Sequence, residues 1–450
     1  MRALTFLCLT LVFGKLSAQV IPEPVKPILP PAVQTLPELR PLPKLTEPLP
    51  AVVQQATGQL AELSNALPPL LAITTADGQL LWREVEVEQG YRAIEREWLL
   101  LLEPAQWQSW QQRWPQLTLW LMSTEALDAI GLTLYRLRVP PQADSVAELS
   151  TLFDATLASS AGRNHLYQPQ AAKSTAAATT VSLPLPAMCE EPVRLGMVDT
   201  AIAEQHPAFT AGNGRLQITQ QRFLPEGIGH SVVHGTAVAG VLAARQDGLQ
   251  PLLPELTLYN AAAFYPSSPY RQSATLAHII QALNWLALQK VDVINMSLTG
   301  PDNPVLAAVI ARLTEQQHLL VAAAGNEGPA GAAQYPAAYP QVIAATAVDS
   351  DSQLYRWANQ AEYVDFAALG VNVATLHPDG TLVTQSGTSL ATPVVSAAVA
   401  CLRARQPDLS KDQIIALLSQ QARDAGQPGR DLQFGIGVLW PPLKAQRQQH

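Results

Sequence analysis

The chain has 450 residues and a formal net charge of −8, so it has room for two or three domains with real cores and carries no basic footprint for nucleic acid. Charged residues make up 14% of the total and are not gathered into runs, which excludes a charged interaction tail and leaves electrostatics without a vote on the substrate. No Cys or His cluster has zinc-site spacing: His230 and His234 are four apart but lack the neighbouring glutamate of a zinc-protease helix, so no metal is assigned.

Met1-Arg2, the apolar run Ala3 to Phe13 and the small residues up to Ala18 describe a signal peptide over residues 1–18, too short for a comfortable membrane span. Export to the periplasm or the medium follows, with an uncleaved anchor as the alternative because Lys15 spoils the cleavage signal. No later stretch is apolar enough for long enough to span a bilayer. Residues 19–67 read as a spacer: about one third of 21–50 is proline, which favours an extended, semi-rigid segment. Ala51 to Ala66 has only weak helical periodicity.

Residues 68–170 change texture. Asp77-Gly78 marks a turn and Glu84 to Glu88 alternates as a half-exposed strand does. The order that follows is strand (98–103), helix (104–114), strand (117–122), strand (132–139), helix (145–157) and strand (164–168). Trp107, Trp110 and Trp114 share one helix face, as core residues do. Two helices over one small sheet is a split βαβ, ferredoxin-like α+β pattern. Residues 171–190 are rich in Ala, Thr, Ser and Pro with little charge, a loose linker and the natural place for a processing cut.

From 191 to 445 apolar strands alternate with amphipathic helices, which predicts an α/β fold: a doubly wound parallel sheet with helices on both faces. Strands are expected at 195–199, 256–261, 291–297, 319–323 and 341–347. Helices are expected at 275–288, with Leu276, Ile279, Ile280, Leu283 and Ala287 on one stripe, and at 303–315, opened by Asn303-Pro304. In such a sheet the loops at the carboxyl ends of strands form the crevice, and Asp199 and Asn326 fall at such ends.

Four motifs carry chemistry. Ser389 lies in Gln385-Ser386-Gly387-Thr388-Ser389-Leu390-Ala391-Thr392-Pro393, at the start of a helix whose run Val394 to Leu402 is apolar nearly all round. His234 opens the small-residue helix Gly235 to Ala244, Asp199 ends the apolar run from Val193, and Asn326 sits in Ala324-Gly325-Asn326-Glu327-Gly328. Each has a structural alternative as a cap or turn residue. A hydroxyl, an imidazole and a carboxylate are, however, the set that activates a serine.

In the chain order Asp199, His234, Asn326, Ser389, these motifs resemble the subtilisin family of serine proteases over roughly residues 190–440. The resemblance implies that Ser389 is the nucleophile, His234 its base and Asp199 the group that fixes the base's tautomer. The Asn326 amide and the Ser389 N–H would hold the oxyanion. It also implies that Ser297, Leu298, Thr299 and Gly300 pair with an extended substrate backbone. Val293 to Gly300 and Ala322 to Gly325, with Ala323 and Gly325 among them, would form the two walls of a pocket, for the residue before the scissile bond, roomy enough for a large apolar or aromatic side chain. By its element order, the 68–170 domain is similar to the family's inhibitory propeptide, which makes it an intramolecular partner. The implied protein is an exported serine endopeptidase that acts on protein or peptide substrates through an acyl-enzyme and processes itself from a zymogen. It needs no cofactor for catalysis, and no acidic cluster is assignable to the structural calcium sites common in the family.

The chain departs from the family at Ala201, where glycine is usual, and at Ala237 and Val394, where histidines are. Ala201 would be strained if its turn needs a positive φ. The alternative function is a catalytically silent relative that binds peptide segments in the same cleft. An α/β-hydrolase esterase would show a Gly-x-Ser-x-Gly elbow, which is absent around Ser389. Cys189 and Cys401 either pair in an oxidising compartment or stay as small core hydrophobes. Sequence alone cannot place their Cα atoms.

Overall fold

Two antiparallel strands, β1 (Leu70–Thr74) and β2 (Leu80–Glu86), pair across the Asp77-Gly78 turn and open a small domain. There follow β3 (Arg92–Leu102), α1 (Pro104–Arg113), α2 (Gln116–Trp120), β4 (Leu121–Leu127), β5 (Leu132–Arg138), α3 (Val146–Leu152), α4 (Ala155–Ser160) and β6 (Gly162–Pro169). β4 pairs with β5, β5 with β3 and β3 with β6, all antiparallel, which is the ferredoxin-like order. These elements come from a computed structural model that describes residues 68–169, 185–210, 215–246, 248–268 and 271–443. The signal segment, the spacer with its weak helix, and residues 171–184 of the linker lie outside the described residues.

The helices cover one sheet face through an aromatic cluster. Trp107 and Trp110 are buried, and Trp107 stacks on Tyr135 at 4.3 Å. Two boundaries differ from expectation. Residues 116–120 are helical and the strand starts only at Leu121, because Pro115 takes an α conformation and starts a turn, burying Leu117 and leaving Leu119 85% exposed. The helix expected over 145–157 is two helices, since Asp154 accepts from Leu157 N–H and caps a second start.

The larger domain supplies β7 (Val193–Asp199), β8 (Gln217–Arg222), α5 (Val233–Ala243), β9 (Leu256–Ala262), β10 (Tyr265–Ser268), β11 (Arg271–Thr275), α6 (Leu276–Leu288), β12 (Val293–Met296), β13 (Leu298–Thr299), α7 (Pro304–Glu315), β14 (Leu319–Ala323), β15 (Ile343–Val348), β16 (Phe366–Leu369), β17 (Val373–Leu376), β18 (Leu382–Gln385), α8 (Thr388–Arg405), α9 (Lys411–Ser419) and β19 (Val438–Leu439). Eight of these strands form one parallel sheet in the order β19-β16-β15-β14-β12-β7-β9-β8. Alternate strand residues point to opposite faces. Leu195, Met197, Val321 and Ala345 join the core of α5, α8 and α9, while Ile294, Met296, Leu320 and Ala344 join that of α6 and α7. The sheet is therefore doubly wound, as the sequence predicts.

Cys189 and Cys401 are joined, with their Cα atoms 5.9 Å apart and 212 positions between them. The core-thiol alternative is thereby excluded: the arm that leads into β7 lies along α8, and the two buried sulfurs meet there.

The two domains share hydrogen bonds. β6 pairs antiparallel with β11 (Ala274 with Tyr167, Thr275 with Leu166) and with β13 (Leu298 with Pro169, Thr299 with Gln168). Asn164 of β6 accepts the Ala277 N–H at 3.0 Å, satisfying one of the open donors in the first turn of α6. Asn303 caps α7 by accepting from Val305 N–H, and its Nδ2 donates to the Arg163 carbonyl.

Candidate active site

Asp199 is the last residue of β7 and is buried, with Oδ1 accepting the Thr200 N–H at 2.6 Å. His234 is the second residue of α5. The helix can come this close because residue 235 is glycine: a methyl group there would lie 2.5 Å from the Thr200 carbonyl oxygen and 2.8 Å from that of Ala201. Instead, the Gly235 N–H donates to Thr200 Oγ1 at 2.7 Å. The approach sets His234 Nδ1 at 2.7 and 3.0 Å from the two oxygens of Asp199. A carboxylate only accepts, so Nδ1 carries the proton and Nε2 presents its lone pair. Nε2 is buried and makes no hydrogen bond among the described residues.

Ser389 is the second residue of α8, a helix buried along most of its length. Pro393 has no N–H to return to the Ser389 carbonyl, so that acceptor is open within the helix. Ser297 fills the gap, its Oγ donating to the Ser389 carbonyl at 2.8 Å. Ser297 in turn accepts from Asn295 Nδ2 at 3.0 Å, and Asn295 Oδ1 accepts from Ser396 Oγ at 2.9 Å. This wholly buried polar chain ties the Ser389 turn to β12.

Asn326 stands beside the same turn. Its Oδ1 accepts from the Thr388 N–H at 3.1 Å and from Thr388 Oγ1 at 3.0 Å, and Thr388 Oγ1 also accepts from Gly325 N–H at 3.3 Å. With the carbonyl end of the amide engaged, its donating end is directed elsewhere. The structure thus joins Asp199 to His234 and Asn326 to the residue before Ser389. The helices carrying His234 and Ser389 pack against each other, but no hydrogen bond links Nε2 to the serine.

The expected substrate edge is only partly what its spacing suggests. Leu298 and Thr299 do form a strand edge, occupied by β6. The main chain of Gly300 is engaged on another side, donating to the Tyr335 carbonyl at 2.9 Å and accepting the Tyr335 N–H at 3.0 Å. Ser297 contributes its side chain to the helix that carries Ser389. Ala323 ends β14. Beside Gly325 the space is taken by polar side chains: a methyl group on it would lie 2.6 Å from Gln334 Cγ and 2.8 Å from Asn359 Oδ1.

Ala201 does not adopt a positive φ, so the turn accepts alanine, and Ala237 receives the Thr375 hydroxyl on its carbonyl. Among the described residues no group of three or more His, Cys, Asp or Glu side chains converges as a metal site. Asn295, Ser396, Thr388 and Thr200 were not singled out by sequence. The proline at 393 was the one available signal, since it announces an open carbonyl four residues earlier.

A buried carboxylate–imidazole pair beside a serine-bearing helix, at the carboxyl end of a doubly wound sheet, defines a class of serine hydrolase scaffold. The chain matches the Subtilase family over residues 191–437, more than half its length, and belongs to that family of serine-type peptidases. It is 31% identical over 250 residues to the minor extracellular protease Epr of Bacillus subtilis (strain 168), covering 55% of this chain and 37% of that protein. It is 32% identical over 253 residues to subtilisin DY of Bacillus licheniformis, covering 55% of this chain and 88% of that one, and equally identical to subtilisin E of Bacillus subtilis (strain 168), of which 64% is covered. The chain thus spans well under two thirds of the length of the Epr protease. Among solved structures, the prenylagaramide maturation protease PagA matches with a TM-score of 0.47 at 23% identity, over 55% of this chain and 90% of that one. Among the described residues no helix is long and apolar enough to cross a membrane.

Proposed function

We propose that the chain is an exported serine endopeptidase made as a precursor that its own small domain inhibits. The observation that carries the catalytic part is the His234 ring, held through Nδ1 by Asp199 while its buried Nε2 has no partner. A buried polar atom without a hydrogen bond is costly, and a base awaiting a substrate-bound serine is a reason to keep one. In the reaction Nε2 takes the Ser389 proton as Oγ attacks the peptide carbonyl. The Asn326 amide and the Ser389 N–H hold the oxyanion, and the proton passes to the leaving amine. Water then attacks the acyl-enzyme with His234 again as base.

The precursor part is supported by β6. Its antiparallel pairing on Leu298 and Thr299 is main-chain recognition of an extended peptide, and the next residue along that edge, Ser297, holds the carbonyl of Ser389. A cut made by Ser389 would fall just beyond Pro169, within residues 168–192. Secretion fits the signal-like residues 1–18 and the extracellular protease named among the relatives.

The second reading, a silent peptide-binding relative, is favoured by the missing bond between Nε2 and Ser389. A fluorophosphonate probe separates the two: an adduct on Ser389 of the processed protein is expected, and none on folded, processed protein would establish the silent binder. N-terminal sequencing of the secreted protein beside its Ser389→Ala variant tests self-processing, since identical ends in both would refute it.

A further inference from the structure

The face of β9 that joins the core of α5 and α8 breaks its apolar pattern at one place. Leu256 and Leu258 belong to that core, and two residues on, toward the carboxyl end, the same face carries Asn260, wholly buried. Asn260 Nδ2 donates to the Thr200 carbonyl at 3.0 Å and to Gln220 Oε1, on the neighbouring strand β8, at 2.7 Å. The neighbours fix which way the amide faces. Gln220 Oε1 also accepts the Ile202 N–H at 2.6 Å, so Asn260 meets two acceptors and must offer its donors. Its own Oδ1 is buried without a hydrogen bond. A polar atom left unmet in a core is costly, so the amide is there for what Nδ2 holds.

What it holds is the turn behind Asp199. Among the described residues the Asp199 carboxylate accepts from two groups, His234 Nδ1 and the Thr200 N–H. Thr200 in turn accepts the Gly235 N–H on Oγ1 at 2.7 Å, which ties it to the helix of His234. The peptide that follows is gripped at both edges: its carbonyl by Asn260, and its N–H, on Ala201, by the Ser231 carbonyl at 3.1 Å. We infer that Asn260 is a positioning residue for the reaction, pinning the Thr200 carbonyl and so fixing the turn whose N–H aims the Asp199 carboxylate at the imidazole. The inference rests on the reading of Asp199, His234 and Ser389 as a catalytic set. Asn260 touches neither substrate nor reacting atoms. Without it the Thr200 carbonyl is buried unmet, the turn shifts to relieve it, and the carboxylate shifts with the turn. Misalignment of this kind lowers turnover more than binding.

The test replaces Asn260 with leucine, similar in size but without a donor, in the full chain after its own processing. Beside it stands Gln220→Leu, which takes the other amide from the same loop and leaves the Thr200 carbonyl its donor. On a quenched-fluorescence peptide, Asn260→Leu is expected to lose roughly tenfold to a hundredfold in kcat with KM little changed. Gln220→Leu is expected to lose clearly less. The proton on His234 Nδ1, read as a low-field magnetic resonance, is expected to move in Asn260→Leu and to stay in place in Gln220→Leu. Equal kcat losses in the two variants, or an unmoved resonance in Asn260→Leu, assign the residue to the fold alone and overturn the proposal. Asn260→Ala, which cannot overfill the site, serves where the leucine variant does not fold, and failure of both to fold overturns it as well. If the parent takes a fluorophosphonate on Ser389 and Asn260→Leu takes it equally fast, the positioning role fails alone. If the parent takes no probe and cuts no casein, the catalytic reading fails and this one with it.

Discussion

The Ser297 hydroxyl donates to the carbonyl of Ser389 at 2.8 Å and replaces the helix hydrogen bond that Pro393 cannot make. Both serines are buried, so Ser297→Ala leaves an acceptor with neither helix nor water to meet it. The expected cost is about 1–3 kcal/mol in denaturant unfolding. In a Pro393→Ala background, where residue 393 regains its N–H, the same substitution should cost clearly less. Equal costs in the two backgrounds would show that the carbonyl finds another donor.

Asn326 has two ends with two duties. Its Oδ1 receives the Thr388 N–H and hydroxyl, so Asn326→Ala should lower turnover about a hundredfold to a thousandfold and also loosen the start of α8. Asn326→Asp keeps the acceptor and removes the donor. It should retain the unfolding midpoint while losing at least as much turnover, a split that steady-state kinetics and thermal melts read together.

Asn164 spans the domain boundary, accepting from Ala277 N–H while its Nδ2 donates to Glu97 Oε1 at 2.7 Å. Asn164→Ala removes an acceptor from the first turn of α6, whose cap is Thr275, and a partner from a buried carboxylate that Arg136 also holds. A loss of about 1–2 kcal/mol is expected, seen as a lower urea midpoint of the full chain carrying Ser389→Ala, which prevents self-digestion.

The Cys189–Cys401 bridge closes a loop of more than two hundred residues. In the chain-entropy view this limits the unfolded chain by on the order of 5 kcal/mol, with measured losses more often about 2–5 kcal/mol. Replacing both cysteines with alanine should therefore lower stability by that amount. A reductant should shift the midpoint of the parent and leave the double variant unmoved.

Acid should weaken the fold through His278. Burial first, and then the Arg136 charge, pull its pKa from 6.5 to about 3; the ring lies in the first turn of α6 against Trp82 of the small domain. The folded value lies below the unfolded one, so the neutral ring's contribution is complete above pH 6.5 and is lost as pH falls toward 3. The slope is about 1.4 kcal/mol per pH unit in that window. His165, held at about 4 by burial and then Arg163, adds the same sign. Unfolding midpoints between pH 7 and 4 should fall less steeply in His278→Gln, and parallel profiles would assign the acid sensitivity elsewhere.

Local pattern made much of this architecture legible. Leu276, Ile279, Ile280, Leu283 and Ala287 are all buried on one side of α6, and Asn303 caps α7 as its place before a proline implies. Asp199 and His234 could be paired only through the resemblance their motifs carry in chain order, since a strand end and a helix start do not by themselves say that they meet. β8 escaped notice because Gln217–Arg222 is nearly all polar and lies at the sheet's edge, where no apolar run is needed. The bridge and the bonds from Asn164 and Ser297 join residues from 92 to 212 positions apart, and nothing in the neighbourhood of either partner specifies the other.

Since β6 covers β11 and β13 at once, its departure would bare two strand rims with their amide groups unsatisfied. Such rims attract any extended polypeptide, including another copy of the same chain. The trait that would let the chain grip an unfolded segment would thus also be an invitation to stick to its siblings, and β6, for as long as it stays, keeps both rims paired.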